Sequence, residues 1–272
     1  MTRVRDIDPM IVRAQCAADP VRMAREIVRA KIEASLKFTV REPDARHRTA
    51  EEWKAKLSAA RSVAEIMIVE SRAAAAYWRC FQDAGLRERK SGNLPRSWMR
   101  FARRGKGNAF FGPKHAAHPI NAMLNYCYVV EAGRLARALA AQGLALPIGY
   151  LHSDKKGRNS LVWDAIEPLR PAIDVFAFVA AHEFARRDFP QSGYNVHRLS
   201  RDVTQLLLHK ASLRRRQLSW PVGSAANASC REGRSLDRRP ALAGDGGFKI
   251  PWRGRPLFSA SRVVSRLIQP TL

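Results

Sequence analysis

An apolar stripe with helical spacing begins after Pro119, and it constrains the fold more than any other feature of the sequence. Its members recur at helical steps on one face: Ile120, Leu124, Tyr128, Leu135 and Leu139. Glu131 falls on the same face, between Tyr128 and Leu135. A buried carboxylate without a partner is costly, so Glu131 requires a cation, a strong donor or a metal ion. An ion pair with a neighbour such as Arg134 would also satisfy it.

Further ionisable groups follow within the next forty residues. His152 ends the apolar run 144–151 and opens a polar loop, and Ser160 is the predicted N-cap of the next helix. On that helix Asp164 and Glu167 are three residues apart and share a face. Apolar neighbours surround them, so a fully solvated face is not expected. One imidazole with two or three carboxylates suits Mg²⁺ or Mn²⁺ and does not match a structural zinc site.

These motifs resemble the catalytic region of the CRISPR adaptation integrase, the Cas-one family of endonucleases. The segments that carry the resemblance are Asn121-Ala-Met-Leu-Asn-Tyr126, Gly149-Tyr-Leu-His152 and Ser160-Leu-Val-Trp-Asp164-Ala-Ile-Glu167-Pro-Leu-Arg170-Pro171. The resemblance covers roughly residues 20–205. It implies that Glu131, His152 and Glu167 are ligands of a divalent metal, Mg or Mn. It also implies that Asp164 is a nearby acidic residue, which would assist proton removal or orient His152, so that all four residues are catalytic.

The expected fold is mainly α, a multi-helix catalytic domain with an irregular basic C-terminal tail. Residues 1–19 form a polar lead without a clear period, residues 20–210 the helical catalytic domain, and residues 211–272 a basic, low-order tail. The family carries a small β-rich domain ahead of its helical domain. Here the helical pattern starts near residue 20, which leaves no room for that domain.

Helical periodicity predicts further helices at residues 20–37, 51–60, 63–84, 171–187 and 203–208. Thr49 and Ser62 are predicted to begin the second and third of these with capping boxes. Glu70 lies near the apolar face of the 63–84 helix, and that face is assigned to ordinary core packing.

The charge balance predicts a polyanionic partner. The chain has 48 Lys and Arg against 24 Asp and Glu, a formal net charge of +24, and such an excess favours nucleic acid. The residues predicted to contact DNA are Arg100, Arg103, Arg104, Lys106, Lys155, Lys156, Arg158 and Arg170. A solvated basic loop is the alternative for residues 86–117, and Arg170 could instead pair with an acidic residue of the site.

Cysteine usage and hydropathy indicate a cytoplasmic protein without membrane contact. The four cysteines, Cys16, Cys80, Cys127 and Cys230, have no C-x-x-C spacing, which fits a reducing compartment. The N-terminus has no apolar signal region, and no apolar run approaches the roughly 20 residues of a membrane span.

The resemblance implies a metal-dependent DNA endonuclease or integrase of CRISPR spacer acquisition. Phosphodiester transesterification by a DNA 3′-hydroxyl, or hydrolysis by water, is the implied reaction. The implied partners are double-stranded DNA, as spacer precursor and CRISPR repeat, and a Cas-two-like subunit, and a homodimer is allowed. One alternative is a catalytically inactive, truncated DNA-binding relative. Another is a helical structural protein whose acids pair with its many arginines.

Overall fold

The computed structural model describes residues 9–81, 86, 94–101, 116–181, 184–192 and 196–218, and these residues are mainly helical, as the sequence predicts. The helices are α1 (Pro9–Ala17), α2 (Pro20–Thr39), α3 (Pro43–Ala59), α4 (Val63–Arg79), α5 (Pro119–Ala140), α6 (Ser160–Ile166), α7 (Arg170–Ala181) and α8 (Arg201–Leu218). Short 3₁₀ turns lie at Arg96–Trp98, Glu167–Leu169 and Arg186–Asp188. A two-residue strand β1 (Gln191–Ser192) pairs antiparallel with β2 (Val196–His197).

Helix α2 lies against α3, α4, α7 and the 3₁₀ turn that follows α6, and thereby places one of its faces at the centre of the protein. It begins at Pro20, whose fixed φ suits a first helical position, and the Asp19 carboxylate accepts from the Val21 amide at 2.9 Å. On its apolar face Ala24, Ile27, Val28 and Ile32 are buried, and Val21 is partly buried. Arg25 reaches from α2 to the end of α3 and donates to the carbonyls of Leu57 and Ala60.

Helix α5 buries the predicted stripe and packs on α6 and α7. His118 caps its N-terminus: the Nδ1 atom accepts from the Ile120 amide at 3.1 Å, which leaves Nε2 to donate to the Trp98 carbonyl at 3.1 Å. Burial lowers the pKa of His118 to about 4, although the Trp98 carbonyl acts in the opposite direction. His118 is therefore a neutral structural histidine.

Two differences from the sequence-based predictions lie in the first 60 residues. Residues 9–17 of the predicted polar lead form α1, where the buried Gln15 amide donates to the Ala145 and Ile148 carbonyls at 2.9 and 3.1 Å. The prediction missed this helix because a polar residue anchors it. Helix α3 begins at Pro43, not near residue 51, and the Thr49 hydroxyl donates to the Ala45 carbonyl inside the helix. Thr49 is therefore not a cap.

Two helices near the C-terminal end also differ from the predictions: α7 ends at Ala181 rather than near residue 187, and α8 continues to Leu218, past the predicted 203–208 and into the predicted tail. Ser62 caps α4 by accepting from the Glu65 amide at 3.2 Å. Ser160 is the first residue of α6 rather than its cap, and its hydroxyl donates to the Ser153 carbonyl. Residues 219–272, most of the predicted basic tail, lie outside the described residues. Among the described helices, none combines the length and apolarity needed to cross a membrane.

The buried histidine predicts a pH-dependent stability. A histidine with a pKa of 6.5 in the unfolded chain and about 4 in the folded one makes folding less favourable as pH falls from 6.5 to 4. We expect the unfolding free energy of the wild type, relative to His118→Asn, to fall by about 3 kcal/mol between pH 7 and pH 4. Asn retains an N-capping acceptor and does not titrate. Urea denaturation at both pH values measures this difference, and a constant difference would contradict the assignment.

Candidate active site

The Asp164 carboxylate organises the loop that ends at His152. Asp164 lies on α6 and is fully buried. Its Oδ2 accepts from the amides of Tyr150 and Leu151 at 2.6 and 3.0 Å, and its Oδ1 accepts from the His152 amide at 3.0 Å. Oδ1 also lies 2.7 Å from Nδ1 of His152, so the ring donates from Nδ1. This leaves Nε2 as the acceptor nitrogen of a side chain that is 25% exposed.

Gly149 permits this tight arrangement. A Cβ atom at this position would lie 2.6 Å from Cβ of Ser160, 2.7 Å from the His152 carbonyl oxygen and 3.1 Å from Oδ2 of Asp164. The first two distances are shorter than real Cβ contacts, and one of them is to backbone. The close approach of the loop to α6 therefore requires a glycine at position 149.

Glu167 follows α6 and is held by two cations. Its side chain is only 4% exposed; Oε2 lies 2.6 Å from Nζ of Lys31 on α2, and Oε1 lies 3.2 Å from Nη2 of Arg170. The same Lys31 ammonium binds Oε1 of Glu70 on α4. Two carboxylates from separate elements thus converge on one buried positive charge.

The pKa shifts of Glu167 and Lys31 both favour the charged form of the side chain. Burial acts to raise the pKa of Glu167, but Lys31 and Arg170 outweigh it, so the pKa lies below its usual value. Burial acts to lower the pKa of Lys31, but Glu167 and Glu70 outweigh it, so that pKa lies above its usual value. Both directions agree with a charged Glu70–Lys31–Glu167 triad. His152 also acts to lower the pKa of Glu167, so the imidazole lies near the triad.

A second buried carboxylate, that of Asp174, supports Arg170 indirectly through Tyr128. The hydroxyls of Tyr77 and Tyr128 both donate to Asp174, the former at 3.0 Å. The Arg170 guanidinium carbon lies 4.9 Å from the centre of the Tyr128 ring. Burial, and then the Asp174 charge, hold the pKa of Tyr77 well above its ordinary value, so this phenol stays a donor. A cavity of about 210 Å³ lies beside this group. Most of its lining is apolar, Lys31, Glu70, Arg170 and Asp174 are its charged lining residues, and neither Glu167 nor His152 lines it.

The structure brings together only some of the predicted site residues. His152 and Asp164 are in contact, and Glu167 lies near them. Oε2 of Glu131 lies 3.1 Å from Nη1 of Arg134, the ion pair that the sequence left open. In the described part of the chain, no three His, Cys, Asp or Glu side chains lie close enough to hold a metal ion. The predicted ligands Glu131, His152 and Glu167 therefore do not form a ready-made ligand group there.

Lys31 and Glu70 are the site residues that sequence reasoning missed. The sequence analysis assigned the α4 face to core packing, yet Glu70 shares a cation with Glu167. The available signal was a glutamate next to an apolar helical face, the same signal that drew attention to Glu131. Periodicity alone did not reveal that Lys31 and Glu70 meet, because they lie on different helices.

The predicted DNA-binding residues occupy varied positions. Lys155 and Lys156 are exposed on the loop that follows His152, and Arg158 is half-buried there. Arg100 is exposed after the Arg96–Trp98 turn. The sequence left open whether Arg170 contacts DNA or pairs with an acidic residue of the site. Arg170 pairs with Glu167, and this ion pair does not exclude a phosphate contact. The other predicted contacts, Arg103, Arg104 and Lys106, lie outside the described residues.

Sequence comparison relates most of the chain to one family. The model described as "CRISPR associated protein Cas1" matches residues 8–212. The "CRISPR-associated endonuclease Cas1 2" of Pyrobaculum aerophilum is 27% identical over 173 residues, which cover 63% of this chain and 50% of that protein. The chain spans half or less of the length of the curated relatives that it matches.

Solved structures share the fold. A structure titled "Casposase bound to integration product" superposes with a TM-score of 0.63 at 24% identity, covering 80% of this chain and 62% of that one. A "Partial Cas6-RT-Cas1--Cas2 complex" gives a TM-score of 0.61 at 18% identity, covering 77% of this chain and 62% of the other. At these identities the likeness extends to the fold alone.

Two glycines provide a matched test of the loop geometry. Gly149→Ala places a methyl group against Ser160 and the His152 carbonyl, so we expect a loss of about 1–3 kcal/mol in unfolding free energy. Gly133→Ala on α5 meets nothing within 4 Å. Because alanine favours a helix, that change should stabilise the protein by roughly 0.5–1 kcal/mol. Urea denaturation of both variants measures these changes in unfolding free energy. An unchanged stability in Gly149→Ala would contradict the close approach of the loop to α6.

Two aspartates test whether Asp164 organises the loop. Asp164→Asn removes the charge that accepts three backbone amides and the His152 ring, and should cost about 3 kcal/mol. Asp154→Asn is the control, because exposed Asp154 accepts only the Gly149 amide among the bonds described, and it should cost about 0.5 kcal/mol. Equal losses of stability in chemical denaturation would argue against the special role of Asp164.

Proposed function

The chain belongs to the Cas1 family of CRISPR-associated proteins, and on that basis we propose that it is a metal-dependent DNA endonuclease and integrase of spacer acquisition. The observation that carries the proposal is the convergence of Glu70 and Glu167 on one cation beside a histidine whose orientation is fixed by Asp164. The proposed reaction is attack of a DNA 3′-hydroxyl, or of water, on a phosphodiester, with departure of the 3′-oxygen of the cut strand.

The donor types of Glu70, Glu167 and His152 suit Mg²⁺ or Mn²⁺, although in this structure Lys31 lies between the two carboxylates and these three described side chains do not form a ready-made ligand group. The carboxylates of Glu70 and Glu167 already face a common positive charge, and Nε2 of His152 is the acceptor nitrogen of a ring held from its other side. We propose these three residues as the ligands. When bound, a divalent ion polarises a phosphodiester and stabilises a departing oxygen.

The residues of the chain supply the remaining functions. Asp164 is fully buried and bound to backbone amides, which favours orienting His152 over removing a proton itself. Lys31 and Arg170 line the cavity beside the carboxylates and can neutralise a phosphate there. Lys155 and Lys156 extend the positive surface beyond His152 and would hold the DNA backbone in register without reading sequence.

Glu70 replaces Glu131 as the third ligand in this proposal. The reason is geometric: Glu70 reaches the same ammonium as Glu167, although 97 residues separate them in sequence (167 − 70). Glu131 as a ligand stays a prediction from the family resemblance. The two assignments differ in which substitution impairs the chemistry.

The proposed partners are double-stranded DNA and a Cas2-like subunit. Two solved structures with this fold support them: a casposase bound to an integration product and a complex that contains Cas2. The net charge of +24 agrees with a DNA partner.

A catalytically inactive DNA-binding relative is the second candidate. One observation favours it: both oxygens of Glu167 are already bonded, to Lys31 and to Arg170. Such a protein would bind DNA without a metal requirement and would release no product.

Strand transfer and nicking of labelled branched and repeat-containing DNA test the proposal. We expect products with Mn²⁺ or Mg²⁺ and none with EDTA. Because each change removes a proposed ligand, Glu70→Gln, Glu167→Gln and His152→Ala should lower the rate by roughly 10–100-fold or more. Glu131→Gln is the matched glutamate, and its loss should be smaller than that of Glu70→Gln.

Each other outcome contradicts a stated part of the proposal. A larger loss in Glu131→Gln than in Glu70→Gln would return the ligand role to Glu131. DNA binding by the wild type with no product under any metal condition would support the inactive relative.

A further inference from the structure

We infer that Lys31 and Arg170 couple divalent-metal binding to DNA binding: both hold Glu167 in the free protein and transfer to phosphate oxygens when a duplex binds. This inference rests on the proposed function and adds a regulatory property to the same site.

The first step is that each carboxylate oxygen of Glu167 already contacts a cation of the protein. Lys31 engages Oε2 at 2.6 Å and Arg170 engages Oε1 at 3.2 Å. Lys31 also holds Glu70. A second cation that approaches these carboxylates meets positive charges already in contact with them, and repulsion between charges is strong in a poorly solvated site. The free protein should therefore bind a divalent ion weakly.

The second step is that both cations have an alternative anion within reach. Lys31 and Arg170 line the same cavity of about 210 Å³, so a phosphate that enters it meets both side chains. Lys31 carries its ammonium on a flexible stem that can turn towards a new acceptor. The Nε of Arg170 is buried and has no acceptor among the described residues, so the guanidinium would have to turn before this donor could reach a phosphate. A phosphate would therefore replace carboxylate oxygens as the acceptor of donors on Lys31 and Arg170.

The third step is the linkage between the two equilibria. When phosphate oxygens take over Lys31 and Arg170, the oxygens of Glu70 and Glu167 become available as ligands. Thermodynamics then requires the reverse effect, so that the metal raises DNA affinity by the same factor by which DNA raises metal affinity. The protein would in this way assemble its reactive centre only on DNA.

The test measures Mn²⁺ affinity of the full chain by the electron paramagnetic resonance signal of free Mn²⁺. Titrations are run at one salt concentration, with and without a saturating short duplex, and the Mn²⁺ bound by duplex alone is subtracted. We expect roughly tenfold tighter binding with the duplex, within the range common for coupled sites.

Lys31→Met isolates the ammonium, because methionine preserves most of the unbranched stem. Without duplex this variant should bind Mn²⁺ more tightly than the wild type, and the duplex should raise its affinity by a smaller factor. The control is Lys56→Met: Lys56 is exposed, its ammonium lies 4.4 Å from the Trp53 ring, and the ion pairs described for Glu70 and Glu167 do not include it. Lys56→Met should reproduce the wild-type coupling. Circular dichroism checks folding, and if Lys31→Met does not fold, the wild-type comparison decides alone.

Two results would overturn the inference, and they are distinguishable. Equal Mn²⁺ affinity with and without duplex in the wild type removes the coupling and leaves the proposed function standing. No Mn²⁺ binding under either condition removes the coupling and the metal-dependent function together.

Discussion

One largely buried ammonium, that of Lys31, whose side chain is 16% exposed, joins three separate parts of the protein. It bonds from α2 to Glu70 on α4 and to Glu167 in the turn after α6. A buried charge is tolerated only when partners compensate for its lost hydration, so these three elements must meet at one point for the charges to be stable. Apolar packing brings α2, α4 and α7 together but does not fix how they are aligned. The ion triad requires one particular alignment. The same alignment produces the pair of convergent carboxylates on which the proposed chemistry depends.

The site combines rigid and exchangeable parts. Asp164 fixes the 149–152 loop through backbone amides and leaves His152 one defined orientation. Asp174, through Tyr128, supports Arg170 from the core side. The exchangeable part is the contact of Lys31 and Arg170 with Glu167, because both cations also line a cavity. A preorganised histidine beside carboxylates that are neutralised by the protein itself would be stable without a metal and responsive when an anionic ligand arrives.

The sequence predicted what apolar periodicity and local spacing determine. The buried face of α5 and the helix α2 follow from such patterns. The contact of Asp164 with His152 agrees with one of the two roles that the family resemblance implied for Asp164. It missed α1, which a glutamine anchors through carbonyls 130 and 133 residues away. It also missed the Lys31 triad, whose members are 39 and 136 residues apart. Neither polar contact leaves a periodic trace, because one side chain on each element suffices. Glu70 and Glu131 gave the same signal in the sequence, a glutamate next to an apolar helical face. Only the arrangement of the helices distinguished them.

The position of a bound metal is the most direct test of the central claim that the Lys31 triad marks the reactive centre. Crystals grown with Mn²⁺ and a short duplex, measured at the manganese absorption edge, would show the ion as an anomalous difference peak. We expect the peak between Glu70, Glu167 and His152, with the Lys31 ammonium turned towards a phosphate. A peak at Glu131 remote from Glu70, or a metal bound elsewhere while Lys31 still bridges Glu70 and Glu167, would contradict the claim.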